Sequence, residues 1–340
     1  MIDFDFASLR TIGFTQTIAG QLHTLTDLPA NAALVRITEV HRDRVHVHDG
    51  QTQSSARPLL TDALATGDWA VLHEGRIIAR IEPVNHLARR TAEGRSQAIA
   101  SNIDTALLVM GLDHDFNPRR LERYLALVQA AAVAPVIVLT KSDIGSDVAH
   151  KLDELHARLP RGTPILAVNG LDAGSTAALA PWLGAGQTLI LLGSSGAGKS
   201  TLTNTLTGAA QATGGVREDD SRGRHTTTAR SLHQCAHGAC IIDTPGLRSL
   251  QPDLNEDALA ASFEDIESLA AQCQFRDCSH DEEPGCAVRG AVHPDRLRNY
   301  HKLLRESRRA VQTPLDRIAA RNKWKVLMRA AGARSKDKRG

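Results

Sequence analysis

The chain has 340 residues, with 40 Lys and Arg against 38 Asp and Glu, so its formal net charge is only +2. This length accommodates two or three domains, and the balance of charge excludes a uniformly basic or acidic protein. Five cysteines are too few for a disulfide scaffold, and the sequence shows neither an apolar secretion signal nor a run of about 20 apolar residues that would span a bilayer. We therefore expect a cytoplasmic protein without a membrane partner.

Short apolar runs separated by turn residues characterise the first 90 residues or so. Such runs occupy residues 33–37, 44–48 and 76–81, and Asp49-Gly50, Gly67-Asp68 and Glu74-Gly75 lie between them. This spacing predicts a small β-barrel or sandwich, which we assign to residues 1–90.

Longer apolar runs alternate with helical stretches from Asn102 to about Leu250. The pattern predicts strands over 105–110, 136–140, 164–168 and 188–192, and helices near 118–132, 147–159 and 199–206. Continuous apolar strands separated by helices indicate a mostly parallel sheet covered on both faces. We assign residues 91–250 to this α/β domain and residues 251–340 to a C-terminal domain.

A base-reading motif is predicted at the end of one buried strand, where open α/β sheets bind their ligands. The stretch Thr140-Lys141-Ser142-Asp143 resembles the guanine-reading N-K-x-D motif of GTPases. A carboxylate at Asp143 can accept the ring N–H and the amino hydrogens of guanine, a pair that adenine does not offer. Thr140 stands where Asn is usual, so one side-chain contact differs from the common pattern.

A phosphate-binding loop follows the strand at 188–192. The segment fits G-x-x-x-x-G-K-[ST] and reads Gly193-Ser194-Ser195-Gly196-Ala197-Gly198-Lys199-Ser200-Thr201. Its glycines let backbone N–H groups surround phosphates at a helix N-terminus, and Lys199 can reach the β and γ oxygens. We therefore predict a nucleoside-triphosphate site with Lys199 as a catalytic group and the Ser200 hydroxyl as a Mg²⁺ ligand.

Two further nucleotide elements lie downstream of this loop. Asp243 and Gly246 form D-x-x-G at the end of a predicted strand, where we expect Asp243 to hold Mg²⁺ through water and the Gly246 N–H to contact the γ-phosphate. The Gly-rich segment 213–228 predicts a mobile loop, and its Thr227 is expected to complete the Mg²⁺ shell.

The order of these elements is base reader, phosphate loop, threonine loop and D-x-x-G. In ordinary GTPases the base reader comes last. A circular permutation explains the change, since compact domains tolerate joined termini and new openings.

Three cysteines and one histidine predict a structural Zn²⁺ site. Their spacing is C-x4-C-x-H-x5-C, formed by Cys273, Cys278, His280 and Cys286. Three thiolates and one imidazole make a closed tetrahedral set with no open position for catalysis. Cys235 and Cys240 flank a hairpin-like turn and are expected to be small buried residues instead.

The C-terminal end is basic. Residues 289–340 contain 16 Lys and Arg against four Asp and Glu. Such a tail can follow nucleic-acid phosphates, in which case binding would weaken steeply with salt.

The permuted order, GSSGAGKST, GRHTTT, DTPGLRS and the Cys/His cluster together resemble the circularly permuted, ribosome small-subunit-dependent GTPases of bacteria. The resemblance runs from about Leu34 to about Arg309. It implies an N-terminal OB-fold, a permuted P-loop GTPase domain and a C-terminal zinc domain, with GTP and GDP, Mg²⁺ and one structural Zn²⁺ bound. It also implies a role in late maturation of the small ribosomal subunit, with that subunit and its rRNA as partners. We expect the protein itself to be a monomer.

GTP hydrolysis requires a side chain that orients the attacking water. Many GTPases use Gln directly after D-x-x-G, but that place is Leu247, which forms no hydrogen bond to water. His225, two residues before Thr227, is our candidate, acting when a partner orders the loop. Two alternatives stay open from the sequence: a GTP-binding RNA assembly factor with little turnover, and a P-loop ATPase or kinase.

Overall fold

The structure is a computed structural model that describes residues 5–22, 25–26, 28–59, 63–90, 96–208, 230–244 and 256–311. It contains a five-stranded barrel, a mostly parallel sheet with helices on both faces, and a C-terminal helical unit. The predicted fold class is therefore confirmed.

The barrel is formed by short strands whose apolar residues alternate toward a common interior. Its strands are β1 (Ala33–Val40), β2 (Val45–His48), β3 (Gln53–Pro58), β4 (Trp69–His73) and β5 (Arg76–Arg80). They lie in the order β1-β2-β3-β5-β4, and β4 pairs back with β1, which closes the barrel. Val35, Ile37, Val47 and Ile77 are among the buried residues that fill it.

Two antiparallel strands connect the barrel to the central sheet, β6 (His86–Arg90) and β7 (Ser96–Ser101). The strands of the central sheet are β8 (Thr105–Gly111), β9 (Ala134–Thr140), β10 (Ile165–Ala167), β11 (Thr188–Leu192), β12 (Ser231–Gln234) and β13 (Cys240–Asp243). They lie in the order β10-β9-β8-β11-β13-β12, and all are parallel except β12. Strand β12 continues into the barrel by pairing Ser231 with Glu39 of β1.

One predicted strand is less buried than the sequence pattern indicates. Residues 164–168 predict a buried strand, but β10 is the outermost strand of the sheet and is only half-buried. An edge strand has one neighbour, so an apolar run of this length remains partly open to solvent. Cys235 and Cys240 flank the turn between β12 and β13, and both are buried and free, as expected.

The helices around the sheet are α3 (Pro118–Ala130), α4 (Val148–Arg158), α5 (Ala173–Thr176), a 3-10 helix (Ala177–Trp182) and α6 (Lys199–Thr207). Two short N-terminal helices precede the barrel, α1 (Phe6–Arg10) and α2 (Gln16–Leu22). Phe14 lies in the segment between these two helices, and its ring packs edge-on against the ring of Trp69, with ring centroids 5.0 Å apart.

Arg36 joins the barrel, the N-terminal segment and the central sheet. Its side chain is 0% exposed and donates hydrogen bonds to Thr188 Oγ1 at 2.9 Å, to the Asn102 carbonyl at 3.2 Å and to the Ile12 carbonyl. A buried cation is tolerated only when its donors are satisfied. Burial lowers the pKa of this guanidinium, while Cys240, Asp104 and Asp68 raise it.

The C-terminal unit packs on α3. It consists of α7 (Glu256–Ser262), α8 (Glu264–Ala270) and α9 (Pro294–Val311), and its buried Phe263, Ile266 and Leu303 lie in one cluster with Ala126 of α3. At the centre of this contact the fully buried Glu122 carboxylate accepts hydrogen bonds from Arg158, Arg296 and Asn299. The helices of the central α/β unit and the C-terminal unit are thus joined by buried charge as well as by apolar packing.

Candidate functional site

The predicted phosphate loop lies between β11 and α6, at the carboxyl edge of the sheet. Gly196 and Gly198 adopt φ of 82° and 90°, a region that favours glycine. A Cβ on Gly193 would lie 2.4 Å from the Val109 carbonyl oxygen, so a larger residue does not fit there. Ser195 and Gly196 are exposed at the tip of the loop, and Ala197 is buried beneath it.

Lys199 is the first residue of α6 and is almost completely buried, with 6% of its surface exposed. Its Nζ donates to the Gly193 and Ser194 carbonyls, at 3.0 and 2.7 Å, which holds the ammonium inside the curve of the loop. Burial lowers the pKa of Lys199 to about 8, against the opposing charges of Asp243 and Asp115. The buried ammonium has lost its hydration, so a bound anion such as a phosphate would stabilise its charged form.

The predicted base-reading stretch follows β9 and contacts the phosphate loop directly. Thr140 is buried, and its hydroxyl donates to the Ala197 carbonyl at 2.6 Å. The backbone N–H of Ser142 donates to the Val168 carbonyl at 3.3 Å, while the Asp143 side chain is exposed. The structure therefore brings the two predicted motifs together, with one carboxylate left facing solvent.

Lys141 has a left-handed backbone with φ of 61°, and its ammonium lies 2.7 Å from the Asp113 carboxylate. Burial alone would raise the pKa of Asp113, but the hydrogen bonds from Lys141 and from the Asp115 backbone, with the nearby charges, bring it below the ordinary value. The ion pair fixes the end of the lysine side chain above the β8–α3 loop.

Asp115 is a site residue that the sequence analysis did not single out. Its Oδ1 accepts from the Ser194 hydroxyl at 2.6 Å and from the Arg120 guanidinium at 2.7 Å, and its Oδ2 accepts from the Gly111 N–H at 3.2 Å. The loop that carries Asp113 and Asp115 follows β8, and β8 lies between the strands of the two motifs. The sequence does contain a signal for this residue, because two aspartates shortly after a buried parallel strand indicate a ligand site at the carboxyl edge of the sheet.

Asp243 ends β13, which is the parallel neighbour of β11. The side chain is 1% exposed, and neither carboxylate oxygen has a hydrogen-bond partner in the described structure. Burial raises the pKa of Asp243, while the nearby charges of Lys199 and His233 lower it. A buried carboxylate with two unpartnered oxygens is suited to a metal ion and its waters.

Ser200 and Thr201 follow Lys199 on the first turn of α6 and are half-buried. Three predicted residues, His225, Thr227 and Gly246, lie outside the described residues, as do Leu247 and residues 312–340 of the basic tail.

The four predicted zinc ligands converge in the loop between α8 and α9. One donor atom from each of Cys273, Cys278, His280 and Cys286 lies within 4.8 Å of all the others. His280 adopts φ of 61° and directs Nδ1 to 3.6 Å from the sulfurs of Cys273 and Cys286. Backbone N–H groups of Ala287 and Arg289 point at the sulfurs of Cys273 and Cys286. These donors stabilise thiolates, so the cluster can hold a zinc ion.

Comparison with known proteins agrees with this geometry. The model of the family described as RsgA GTPase matches residues 81–253. The chain is 51% identical over 273 residues to the small ribosomal subunit biogenesis GTPase RsgA of Xanthomonas oryzae pv. oryzae strain MAFF 311018, which covers 77% of this chain and 74% of that protein. The chain belongs to the RsgA GTPase family.

A second RsgA, from Xanthomonas campestris pv. campestris strain B100, is 50% identical over 273 residues. Among solved structures, YjeQ from Thermotoga maritima has a TM-score of 0.59 at 22% identity and covers 81% of this chain and 98% of its own. YloQ, described as a circularly permuted GTPase, has a TM-score of 0.57 at 25% identity and covers 83% of this chain and 97% of its own.

Membership of the RsgA GTPase family makes this protein a GTP hydrolase with a permuted GTPase fold. Both the resemblance in sequence and the prediction of the enzyme class are confirmed. Of the alternatives left by the sequence, an ATPase or kinase is not supported. No helix among the described residues has the length and apolar character needed to cross a membrane.

Proposed function

We propose that this GTPase binds GTP and GDP at the carboxyl edge of β9, β8 and β11, with the phosphates held by residues 193–201 and the base by residues 140–143. The observation that carries this proposal is the hydrogen bond from Thr140 to Ala197, because it joins the base-reading stretch to the phosphate loop. We assign one function to each predicted domain. The domain of residues 91–250 binds the nucleotide, whereas the domains of residues 1–90 and 251–340 contact the partner.

Guanine selection rests on Asp143. Its carboxylate is exposed three residues after the end of β9 and can accept two hydrogens from guanine. Competition of unlabelled GTP, GDP and ATP against a fluorescent GDP tests this choice. Asp143→Asn should abolish the preference for guanine over adenine, and Asp153→Asn, an exposed carboxylate on α4, should leave it intact.

Magnesium fits the same site. We assign Ser200, Thr227 and Asp243 to its shell, directly or through water, on the strength of the unpartnered buried oxygens of Asp243. The ion would neutralise phosphate charge during transfer. Nucleotide affinity measured with Mg²⁺ and with EDTA should differ for the unsubstituted protein and for Asp153→Asn. The difference should vanish in Asp243→Asn.

Hydrolysis then needs positioning of water rather than covalent chemistry. We assign that role to His225, with Lys199 and Thr227 acting on the phosphates. His225→Ala should bind GTP normally but lose partner-stimulated turnover. Full stimulated turnover in His225→Ala would overturn the assignment of this residue alone.

The Cys/His cluster is proposed to hold one structural Zn²⁺. Its support is the convergence of three thiols, the Nδ1 of His280 and the backbone donors aimed at the sulfurs. Metal analysis should find zinc in the purified protein, and Cys286→Ser should lose it together with the fold of the C-terminal unit. Nucleotide affinity of the remaining GTPase domain should change much less.

The partner is proposed to be the small ribosomal subunit and its rRNA, bound by a monomer in the cytoplasm. Support comes from the name of the 51%-identical relative, from the basic residues of 289–340, and from the OB-like barrel, a fold that binds nucleic acids elsewhere. Association with purified subunits should weaken as salt rises. Association that is insensitive to salt would remove the basic tail as the main anchor.

A further inference from the structure

The hairpin of β1 and β2 carries one carboxylate and two imidazoles on its outer side. The residues are Glu39, His41 and His46, and one donor atom from each lies within 4.8 Å of the other two. They belong to the barrel and take no part in the nucleotide site or in the Cys/His cluster. Nothing in the GTPase reaction explains why they are gathered.

Strand register accounts for their proximity. Glu39 and His46 are paired residues on neighbouring antiparallel strands, so their side chains project from the same face. An irregularity of the β1–β2 register between Ile37 and Glu39 shifts the alternation at this point. His41 lies two residues beyond Glu39, and its backbone N–H donates to the Arg44 carbonyl at 3.0 Å, which closes the turn.

The side chains already contact one another. His41 Nε2 lies 3.1 Å from Glu39 Oε2, and the rings of His41 and His46 meet edge-on with centroids 5.0 Å apart. Glu39 is 34% exposed and His41 38% exposed, so water and ions reach the group. A surface ion pair between Glu39 and His41 would stabilise the fold only slightly and would not involve His46.

We propose that Glu39, His41 and His46 form a second metal site, which takes a divalent transition ion of the Zn²⁺ class. Two imidazoles and a carboxylate suit Zn²⁺, Co²⁺ or Ni²⁺, whereas Mg²⁺ prefers oxygen ligands alone. Three protein ligands leave at least one coordination position for water or for a group from a partner. The site therefore differs in kind from the closed cluster of three cysteines and one histidine.

Its place in the fold gives the ion a structural effect. Glu39 is also the residue of β1 that pairs with Ser231 of β12, the link between the barrel and the central sheet. An ion bound to both Glu39 and His46 would crosslink β1 and β2 next to the pairing of β1 with β12. Because the ion binds the folded hairpin, it would also raise the melting temperature.

The experiment counts metal equivalents in the full chain with its cysteine cluster already filled. Zn²⁺ is titrated calorimetrically without nucleotide into the unsubstituted protein, Glu39→Gln, His46→Ala and His237→Ala. His237 is an exposed histidine in the β12–β13 turn and serves as the matched control. Co²⁺ replaces Zn²⁺ in a parallel absorbance titration, because only cobalt bound to thiolate gives an intense charge-transfer band.

We expect one additional Zn²⁺ equivalent for the unsubstituted protein and for His237→Ala, and none for Glu39→Gln or His46→Ala. The additional Co²⁺ should show ligand-field bands without thiolate charge transfer, and hydrogen exchange in residues 39–46 should slow when it binds. The proposal is overturned if the unsubstituted protein takes up no additional ion. It is also overturned if both substituted proteins retain the additional equivalent. Equal melting temperatures without added metal establish that the substituted proteins fold.

Discussion

The hydroxyl of Thr140 donates to the carbonyl of Ala197 across 2.6 Å, and both groups are buried. This contact spans 57 residues of sequence and joins the end of β9 to the phosphate loop. A threonine where asparagine is common thus still has a polar function. It holds the predicted phosphate loop against the predicted base-reading stretch.

Thr140→Val should weaken GDP binding about tenfold. Valine keeps the shape of threonine but leaves the buried Ala197 carbonyl without its donor, which costs on the order of 1–3 kcal/mol. Stopped-flow or equilibrium fluorescence with a labelled GDP measures the change. Thr140→Ser, which retains the hydroxyl, should bind within about twofold of the unsubstituted protein. Equal affinity for the valine and serine forms would show that the hydrogen bond does not align the loop.

Nucleotide affinity should fall at alkaline pH. Burial lowers the pKa of Lys199 to about 8 in the free protein, so the ammonium deprotonates as pH rises through that value. Bound phosphate favours the charged form, and each pH unit above the pKa of the free protein should weaken binding by up to about tenfold. GDP affinity measured from pH 7 to 9.5 gives the profile. Lys199→Arg, which stays charged, should give a flat profile at lower affinity; a flat profile for the unsubstituted protein contradicts the account.

Asp115→Asn should move that alkaline fall to lower pH. The Asp115 carboxylate is one of two charges that raise the pKa of Lys199 against the effect of burial, and asparagine removes this support. The same pH series measures the midpoint, and Asp153→Asn provides a remote charge change as control. An unmoved midpoint would mean that Asp115 holds Ser194 and Arg120 without influencing the lysine.

Glu122→Ala should destabilise the protein by about 3–5 kcal/mol, because it leaves the buried guanidinium groups of Arg158 and Arg296 without their shared carboxylate. Urea unfolding monitored by circular dichroism measures the loss. Glu154→Ala removes a more exposed partner of Arg158, 37% exposed, and should cost less than about 1 kcal/mol. Similar costs for the two substitutions would exclude a special role for the buried cluster.

Much of the site was predictable because its chemistry is local in sequence. The proposed phosphate loop spans Gly193 to Thr201, and the proposed zinc ligands lie within residues 273–286, so the spacing of the residues alone predicts both groups. The strands at 105–110 and 188–192 were found to within one residue because buried parallel strands are continuously apolar. The spacing of the first strands predicts either a β-barrel or a β-sandwich. Only the family resemblance predicts the OB-like barrel.

Side-chain contacts between different strands depend on the order and register of the strands in the sheet. The pattern of apolar residues in the sequence does not specify that order. Asp115 contacts Ser194 only because β8 lies between β9 and β11. Arg36 has the alternation of an outward-facing strand residue, yet the Ile12 and Asn102 carbonyls and Thr188 surround it. The gathering of Glu39, His41 and His46 likewise requires the register of the β1–β2 hairpin.

We propose that GTP hydrolysis by this protein depends on the small ribosomal subunit. The most direct test compares GTP and ATP hydrolysis by the purified chain, with and without purified small subunits. We predict slow GTP turnover alone, strong stimulation by the subunits and no stimulated ATP turnover. A GTPase rate that subunits leave unchanged would contradict this proposal and leave a GTPase with a different partner.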